Sequence, residues 1–188
     1  MIKRTILSFT LAIVAVCGYS ACGNKEKKVE KNDGTTEATQ VQVKEEEDNA
    51  EGLTGQAPDF TLEDINGNAL SLSSLKGKYV ILDFWGSWCG WCIRGIPSMK
   101  EYYAKYAGKF EILGIDCNET QEKWKAAVKK YELPWLHVYC TRESNVLIDY
   151  AIEGFPTKIV VGPDGNIVKT IIGEDPAFYE FLDELFGK

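Results

Sequence analysis

The chain has 188 residues, 45% of them hydrophobic and 12% aromatic, and a formal net charge of −7. The apolar residues gather after residue 56, enough for the core of one domain of ordinary size. The acidic balance argues against nucleic acid as a partner, because phosphate binding draws on a surplus of Lys and Arg.

In chain order, Met1-Ile2-Lys3-Arg4 is a cationic start. Ile6 to Val16 is an apolar run of signal-peptide length, too short for an ordinary membrane span. It leads into Gly18-Tyr19-Ser20-Ala21-Cys22, small residues before a cysteine that resemble the lipobox cut by bacterial lipoprotein signal peptidase. On that reading residues 1–21 are an export signal and Cys22 carries the lipid, although Tyr19 stands where the pattern prefers leucine. Cleavage by the ordinary secretory peptidase, or retention as an uncleaved anchor, is the alternative. Residues 22–55 contain Lys25-Glu26-Lys27-Lys28 and Lys44-Glu45-Glu46-Glu47-Asp48 and no aromatic residue. Such a segment buries too little apolar surface to offset the entropy of ordering, so it reads as a flexible charged tether. A charge-patterned partner site is the rival reading.

Residues 56–188 form the folded domain. Ala57–Leu62 and Ala69–Leu72 flank Asn66-Gly67, which predicts a hairpin, and 73–78 is a helical turn with an exit loop. Val80 to Phe84 is apolar and β-rich apart from Asp83, as a strand covered on both faces would be, and Gly86-Ser87 supplies a turn into a helix from Cys89 to about Tyr106. Pro97 should remove one backbone hydrogen bond and kink that helix. A strand follows at Phe110–Asp116, an amphipathic helix at Thr120–Tyr131, a short strand at Leu136–Cys140 and a short helix at Asn145–Tyr150. Lys158–Val161 and Ile167–Ile172 alternate around Gly162-Pro163-Asp164-Gly165-Asn166, predicting an antiparallel hairpin, and Asp175-Pro176 starts a last helix.

Cys89 and Cys92 carry the chemistry. At a helix N-terminus, free amides and the positive end of the helix dipole favour a thiolate, so Cys89 should be the more nucleophilic sulfur. Cys92 lies on the same helical face and can close a small disulfide with it. A structural disulfide or half of a zinc site is the bland alternative. Zinc normally takes four thiolate or imidazole ligands, and with no second close pair and a single histidine in the chain we expect no metal. Asp83 is a carboxyl in an apolar strand, where burial should raise its pKa; otherwise it is a surface aspartate on an edge strand.

The segment Asp83-Phe84-Trp85-Gly86-Ser87-Trp88-Cys89-Gly90-Trp91-Cys92 resembles the active-site segment of the thioredoxin superfamily. With Pro97, Gly154-Phe155-Pro156-Thr157 and the closing hairpin and helix, the chain resembles the membrane-anchored, extracytoplasmic thiol-disulfide oxidoreductases of the TlpA/ResA kind. The resemblance implies an α/β thioredoxin-like fold: a central mixed sheet flanked by helices, with an N-terminal β-hairpin extension and an inserted helix-strand segment. It implies that Asp83 assists deprotonation of Cys92 through a water, although Ile112 stands where thioredoxin has a lysine on the neighbouring strand. It places Phe155-Pro156 in a cis-proline loop facing the dithiol, where the Phe155 backbone would pair with a substrate segment. Trp88 and Trp91 would border the substrate site, and Trp91 lies between the cysteines where thioredoxin carries proline, a position that tunes reduction potential.

The function expected is reduction of protein disulfides on the periplasmic side of the cell envelope by a lipid-anchored enzyme without a cofactor. Its electrons would come from a membrane thiol reductant. A dithiol oxidase or isomerase shares every residue and differs in potential. A peroxiredoxin needs a threonine three residues before its reactive cysteine, where this chain has Gly86. A copper-binding envelope chaperone would use the two cysteines as soft ligands. Cys117 and Cys140 should lie near the ends of neighbouring strands, as a second disulfide or as two inert buried thiols. His137 is read as an ordinary strand side chain.

Overall fold

The computed structural model describes residues 54–188. The proposed export signal, Cys22 and all of the tether before Thr54 lie outside the described residues.

Every residue from Val80 to Trp85 is buried, so their strand needs cover on both faces, and it takes the middle of the sheet. Chain order gives β1 (Gly55–Gln56), β2 (Thr61–Asp64), β3 (Ala69–Ser71), β4 (Tyr79–Trp85), α1 (Gly90–Lys105), β5 (Phe110–Cys117), α2 (Gln121–Lys130), β6 (Leu136–Cys140), α3 (Val146–Asp149), β7 (Thr157–Val161), β8 (Asn166–Ile172) and α4 (Pro176–Phe186). The eight strands lie in the order β1-β8-β7-β4-β5-β6-β2-β3. β4, β5 and β6 are parallel, whereas β7 runs antiparallel to β4 and β8 to β7. The sheet is therefore mixed, as the sequence led us to expect.

The period of two divides β4 between two cores. Val80, Leu82 and Phe84 pack with Leu113, Ile115, Val138, Val146 and Tyr150. Ile81 and Trp85 face the other way, against Ile96 and Met99 of α1, Trp124 of α2, and Phe178 and Leu182 of α4. Asp83, at the same parity as Ile81 and Trp85, is thereby aimed at the face that α1 and α4 cover. Full burial of each large apolar side chain stabilises the fold by roughly 1.5–3 kcal/mol.

Local chemistry sets the boundaries. The Thr120 side chain accepts the Lys123 N–H to cap α2, and Asp175 Oδ1 accepts the Ala177 N–H at 2.9 Å to cap α4, with Pro176 at its first position. Between β2 and β3, Asp64 Oδ1 accepts the N–H groups of Asn66 and Asn68, both at 2.8 Å, and Gly67 takes φ +87°. Two findings differ from the sequence reading. The first strand of the N-terminal hairpin begins at Thr61 rather than Ala57, because residues 57 and 58 dock elsewhere: Ala57 N–H donates to Gly165 O, and Pro58 O accepts from Tyr150 Oη at 2.6 Å. The hairpin also extends the sheet, β2 lying antiparallel to β6, while Gly55 and Gln56 pair with Ile167 and Asn166 at the opposite edge.

Candidate active site

β4 ends at Trp85, and the turn formed by residues 86–88 feeds α1, with the Cys89 N–H donating to Gly86 O at 3.0 Å. Cys89 is the N-cap of α1: its Sγ accepts the N–H of Cys92 at 3.1 Å. A sulfur there receives a backbone donor and the positive end of the helix, both of which favour its thiolate. Cys89 and Cys92 are disulfide-bonded, with Cα atoms 5.3 Å apart, and both residues are buried. The exposed surface beside them is aromatic. Trp88 and Trp91 are 52% and 57% exposed, the Arg94 guanidinium lies 4.0 Å over the Trp91 ring, and Trp88 meets Phe155 edge-on at 5.2 Å.

The turn is held from β5 and the loop after it. Glu119 accepts both the Ser87 N–H, at 2.5 Å, and the Ser87 hydroxyl, and Trp88 Nε1 donates to Cys117 O at 2.9 Å. A Cβ at Gly86 would overlap the Trp88 indole, so the position at which a peroxiredoxin carries threonine is closed while Trp88 keeps this conformation. Beside Trp88 a groove of about 890 Å³ is lined by Ser87, Asn118, Glu119, Tyr139 and Arg142. The Phe155–Pro156 peptide is cis and leads into β7.

Asp83 is buried, one of its oxygens has no hydrogen-bond partner, and burial pushes its carboxyl above the usual range. The neighbouring strand β5 offers Asp83 no lysine. The β5 residue opposite Asp83 is Gly114, whereas Ile112 pairs with Ile81. A cation is nonetheless present, on the other side: Lys158 of β7 lies opposite Asp83, is 2% exposed, and pulls the Asp83 pKa down against burial. Lys158 Nζ is paired with Glu174 Oε2 at 2.8 Å.

Sequence reasoning missed Lys158, Glu174 and Asp116. The signal available for Lys158 and Asp116 was the one that exposed Asp83, a charge inside an apolar strand; Glu174 sits in a loop and gave none. Asp116 is fully buried, and burial, then its neighbour Glu119, pushes its carboxyl up to about 9. Cys117 and Cys140 stand opposite each other in the β5–β6 register as two buried free thiols, and the hydrogen bond with Cys140 together with burial drives the Cys117 thiol well above its ordinary value. His137 lies on β6 and burial lowers its pKa to about 4, so it is a neutral core side chain near neutral pH. Among the described residues, no group of three or more His, Cys, Asp and Glu has the geometry to hold a metal ion, and no helix is long and apolar enough to cross a membrane.

A dithiol at the N-terminus of a helix that follows a central parallel strand, with a cis-proline residue before β7, defines a thioredoxin-like thiol-disulfide oxidoreductase. The comparisons agree. Residues 53–170 match the AhpC/TSA family, and the chain belongs to that family. It is 38% identical over 120 residues to the thiol-disulfide oxidoreductase ResA of Bacillus cereus, covering 63% of this chain and 69% of that protein. The ResA of Geobacillus thermodenitrificans is 32% identical over 92% of this chain and 87% of its own length. Among solved structures, the thioredoxin domain of a thiol-disulfide oxidoreductase from Bacteroides vulgatus superposes with a TM-score of 0.66 at 33% identity, covering 71% of this chain and 98% of that one.

Proposed function

We propose that the protein reduces disulfides of other proteins on the periplasmic side of the cell envelope, using Cys89 and Cys92. The observation that carries this reading is the Cys89 sulfur at the α1 N-terminus, accepting the Cys92 N–H, on the sheet face towards which Asp83 also points. In the reduced enzyme, Cys89 thiolate attacks one sulfur of a substrate disulfide, forming a mixed disulfide and releasing the other substrate sulfur as a thiolate that takes up a proton. Cys92 then loses its proton to Asp83 and attacks Cys89 Sγ. The Cys89–Cys92 bond forms, the mixed disulfide breaks, and the substrate leaves with both cysteines reduced.

Trp88, Trp91, Phe155 and Pro156 would contact the substrate around the reacting disulfide, and the groove beside Trp88 would take the chain that flanks it. The oxidised enzyme would be recharged by a membrane thiol reductant, and Cys22 would carry the lipid that holds the domain near it. Reversing the direction gives an oxidase or isomerase with the same residues. Cys117 and Cys140, opposite each other in register, are proposed as the partners of a second disulfide under oxidising conditions.

The test is reduction of insulin disulfides with dithiothreitol as the electron source. Cys89→Ser is expected to abolish turnover, and Cys92→Ser, reduced beforehand and mixed with insulin after the dithiothreitol is removed, to accumulate a mixed disulfide that reducing agent releases. Full reductase activity in Cys89→Ser would sink the mechanism.

A further inference from the structure

On the sheet face that α1 and α4 cover, four polar side chains from β4, β7, α4 and the loop before it lie close together. Asp83 of β4 and Lys158 of β7 stand opposite each other in an antiparallel pair and therefore share a face, the one that packs on α1 and α4. Lys158 crosses to Glu174, 2.8 Å from Nζ, and rests over the Phe178 ring at 5.5 Å. Tyr179 Oη donates to Glu174 Oε1 at 2.6 Å and also approaches the Gly95 carbonyl at 3.4 Å. The Lys158 side chain is 3% exposed and that of Glu174 15%, so an ion pair placed here carries a desolvation cost that a surface pair avoids.

Glu174 reaches this place through a gap in the helix that carries the cysteines. Gly95 is three residues beyond Cys92 in α1, and a Cβ there would overlap the Glu174 carboxylate. The carboxylate thus lies against the helix one turn past the resolving cysteine. It also feels Asp83: Lys158 favours the Asp83 carboxylate and Glu174 opposes it. The other titratable groups on this face or coupled to it are Cys89 and Cys92 on α1, Tyr179 on α4, Asp116 on β5, His137 and Tyr139 on β6, and Cys117 on β5, which feels the Asp83 charge; none of them differs among the proteins compared below.

We propose that Lys158 and Glu174 are positioning residues for the resolving step, a pair of opposed charges that sets the pH above which Asp83 accepts the Cys92 proton. The proposal rests on the dithiol reading above and on Asp83 as proton acceptor. Removing either charge unbalances the pair in a known direction. Without the Glu174 charge, Lys158 acts on Asp83 alone, and the carboxylate persists to lower pH. Without the Lys158 cation, the Asp83 carboxylate faces Glu174 unshielded and takes up its proton at higher pH.

The experiment is stopped-flow reaction of the reduced full-length chain with Ellman's reagent across pH, with Cys17, Cys22, Cys117 and Cys140 changed to serine throughout so that only Cys89 and Cys92 release thiolate. The first equivalent of released thiolate reports attack by Cys89; the second reports resolution by Cys92. Glu174→Gln is expected to move the acid limb of the second phase down by about one pH unit, and Lys158→Met to move it up by about the same amount. Lys158→Arg, which keeps the cation, should leave the limb near its wild-type position. Opposed displacements are a signature that loss of packing does not produce. Limbs that stay in place, or that move the same way in both variants, overturn the proposal. If Lys158→Met does not fold, Glu174→Gln decides, because an unmoved limb there overturns it as well. A wild-type enzyme with no second phase, or an Asp83→Asn variant that keeps the wild-type acid limb, would instead bring down the reading of the site on which this rests.

Discussion

Asp83 and Asp116 are both buried carboxyls on the central strands, and they are set apart by what faces them. Asp83 has Lys158 opposite, whereas both oxygens of Asp116 lack a hydrogen-bond partner and Glu119 adds a second carboxyl nearby. With its pKa raised to about 9, Asp116 keeps its proton in the fold over a range where the unfolded chain has lost it. The folded state then binds more protons than the unfolded state, so this group's contribution falls as pH rises from its unfolded value towards 9. Asp116→Asn removes the titration while keeping the shape. Between pH 6 and 8, stability by urea unfolding should move in favour of the variant, relative to wild type, by on the order of 2 kcal/mol. A constant difference across that range would show that Asp116 is ionised in the fold. His137 has the opposite sign: with its pKa depressed to about 4, it destabilises the fold as pH drops below the ordinary histidine value. At this scale Asp83 was legible because a charge stands out in an apolar run. The charges that govern it were not, since Lys158 comes from a strand 75 residues later and the register that pairs them is a tertiary fact.

Among the elements, α1 carries the site, and its interior breaks two helix preferences within three residues. Pro97 lacks the N–H that would bond to the Ile93 carbonyl, and Gly95 is conformationally costly in a helix. Propensity alone says that Gly95→Ala should stabilise α1 by about 1 kcal/mol. Room for the methyl group requires the Glu174 carboxylate to leave Lys158 and Tyr179, and overpacking a site held in this way costs about 1–3 kcal/mol, which reverses the sign. Gly95→Ala is therefore expected to lower the urea midpoint in the wild-type background and to raise it once Glu174→Ala has emptied the space. A rise in both backgrounds would show that the carboxylate is not held against the helix. Most elements could be read locally, because their ends are written in short-range chemistry: Thr120 and Asp175 as caps, Pro176 at a first helical turn, and the turns at Gly67 and Gly165 with positive φ. The β2 start and the β1 strand could not be. Pro58 and Asp59 are poor strand formers, but what draws residues 57 and 58 away from the hairpin is their contact with Gly165 and Tyr150, which no local pattern shows.

For the molecule as a whole, the open quantity is the direction in which electrons flow, and it is set by how differently the fold stabilises the dithiol and the disulfide. The Cys89 thiolate gains from the α1 terminus and the Cys92 N–H, which stabilises the reduced form and makes the pair more oxidising. Ionisation of Asp83 on the same face acts the other way, adding negative charge where that thiolate would sit. The Lys158–Glu174 pair moderates this second effect, so the potential should respond to the same charges as the proton transfer. We expect equilibrium with glutathione to place the wild-type dithiol towards the thioredoxin end of the range, about −270 mV, as reduction of protein disulfides requires. Lys158→Met should change the pH dependence of that potential along with the resolving step. A wild-type value near that of the strongly oxidising disulfide-forming enzymes, about −120 mV, would leave the fold and the dithiol as described and reverse the proposed direction. Repeating the titration in Cys117→Ser/Cys140→Ser separates the buried pair from the active site: a single two-electron transition common to both proteins means that Cys89 and Cys92 alone are being read, and a second transition that the variant loses means that the β5–β6 thiols also form a disulfide in this range.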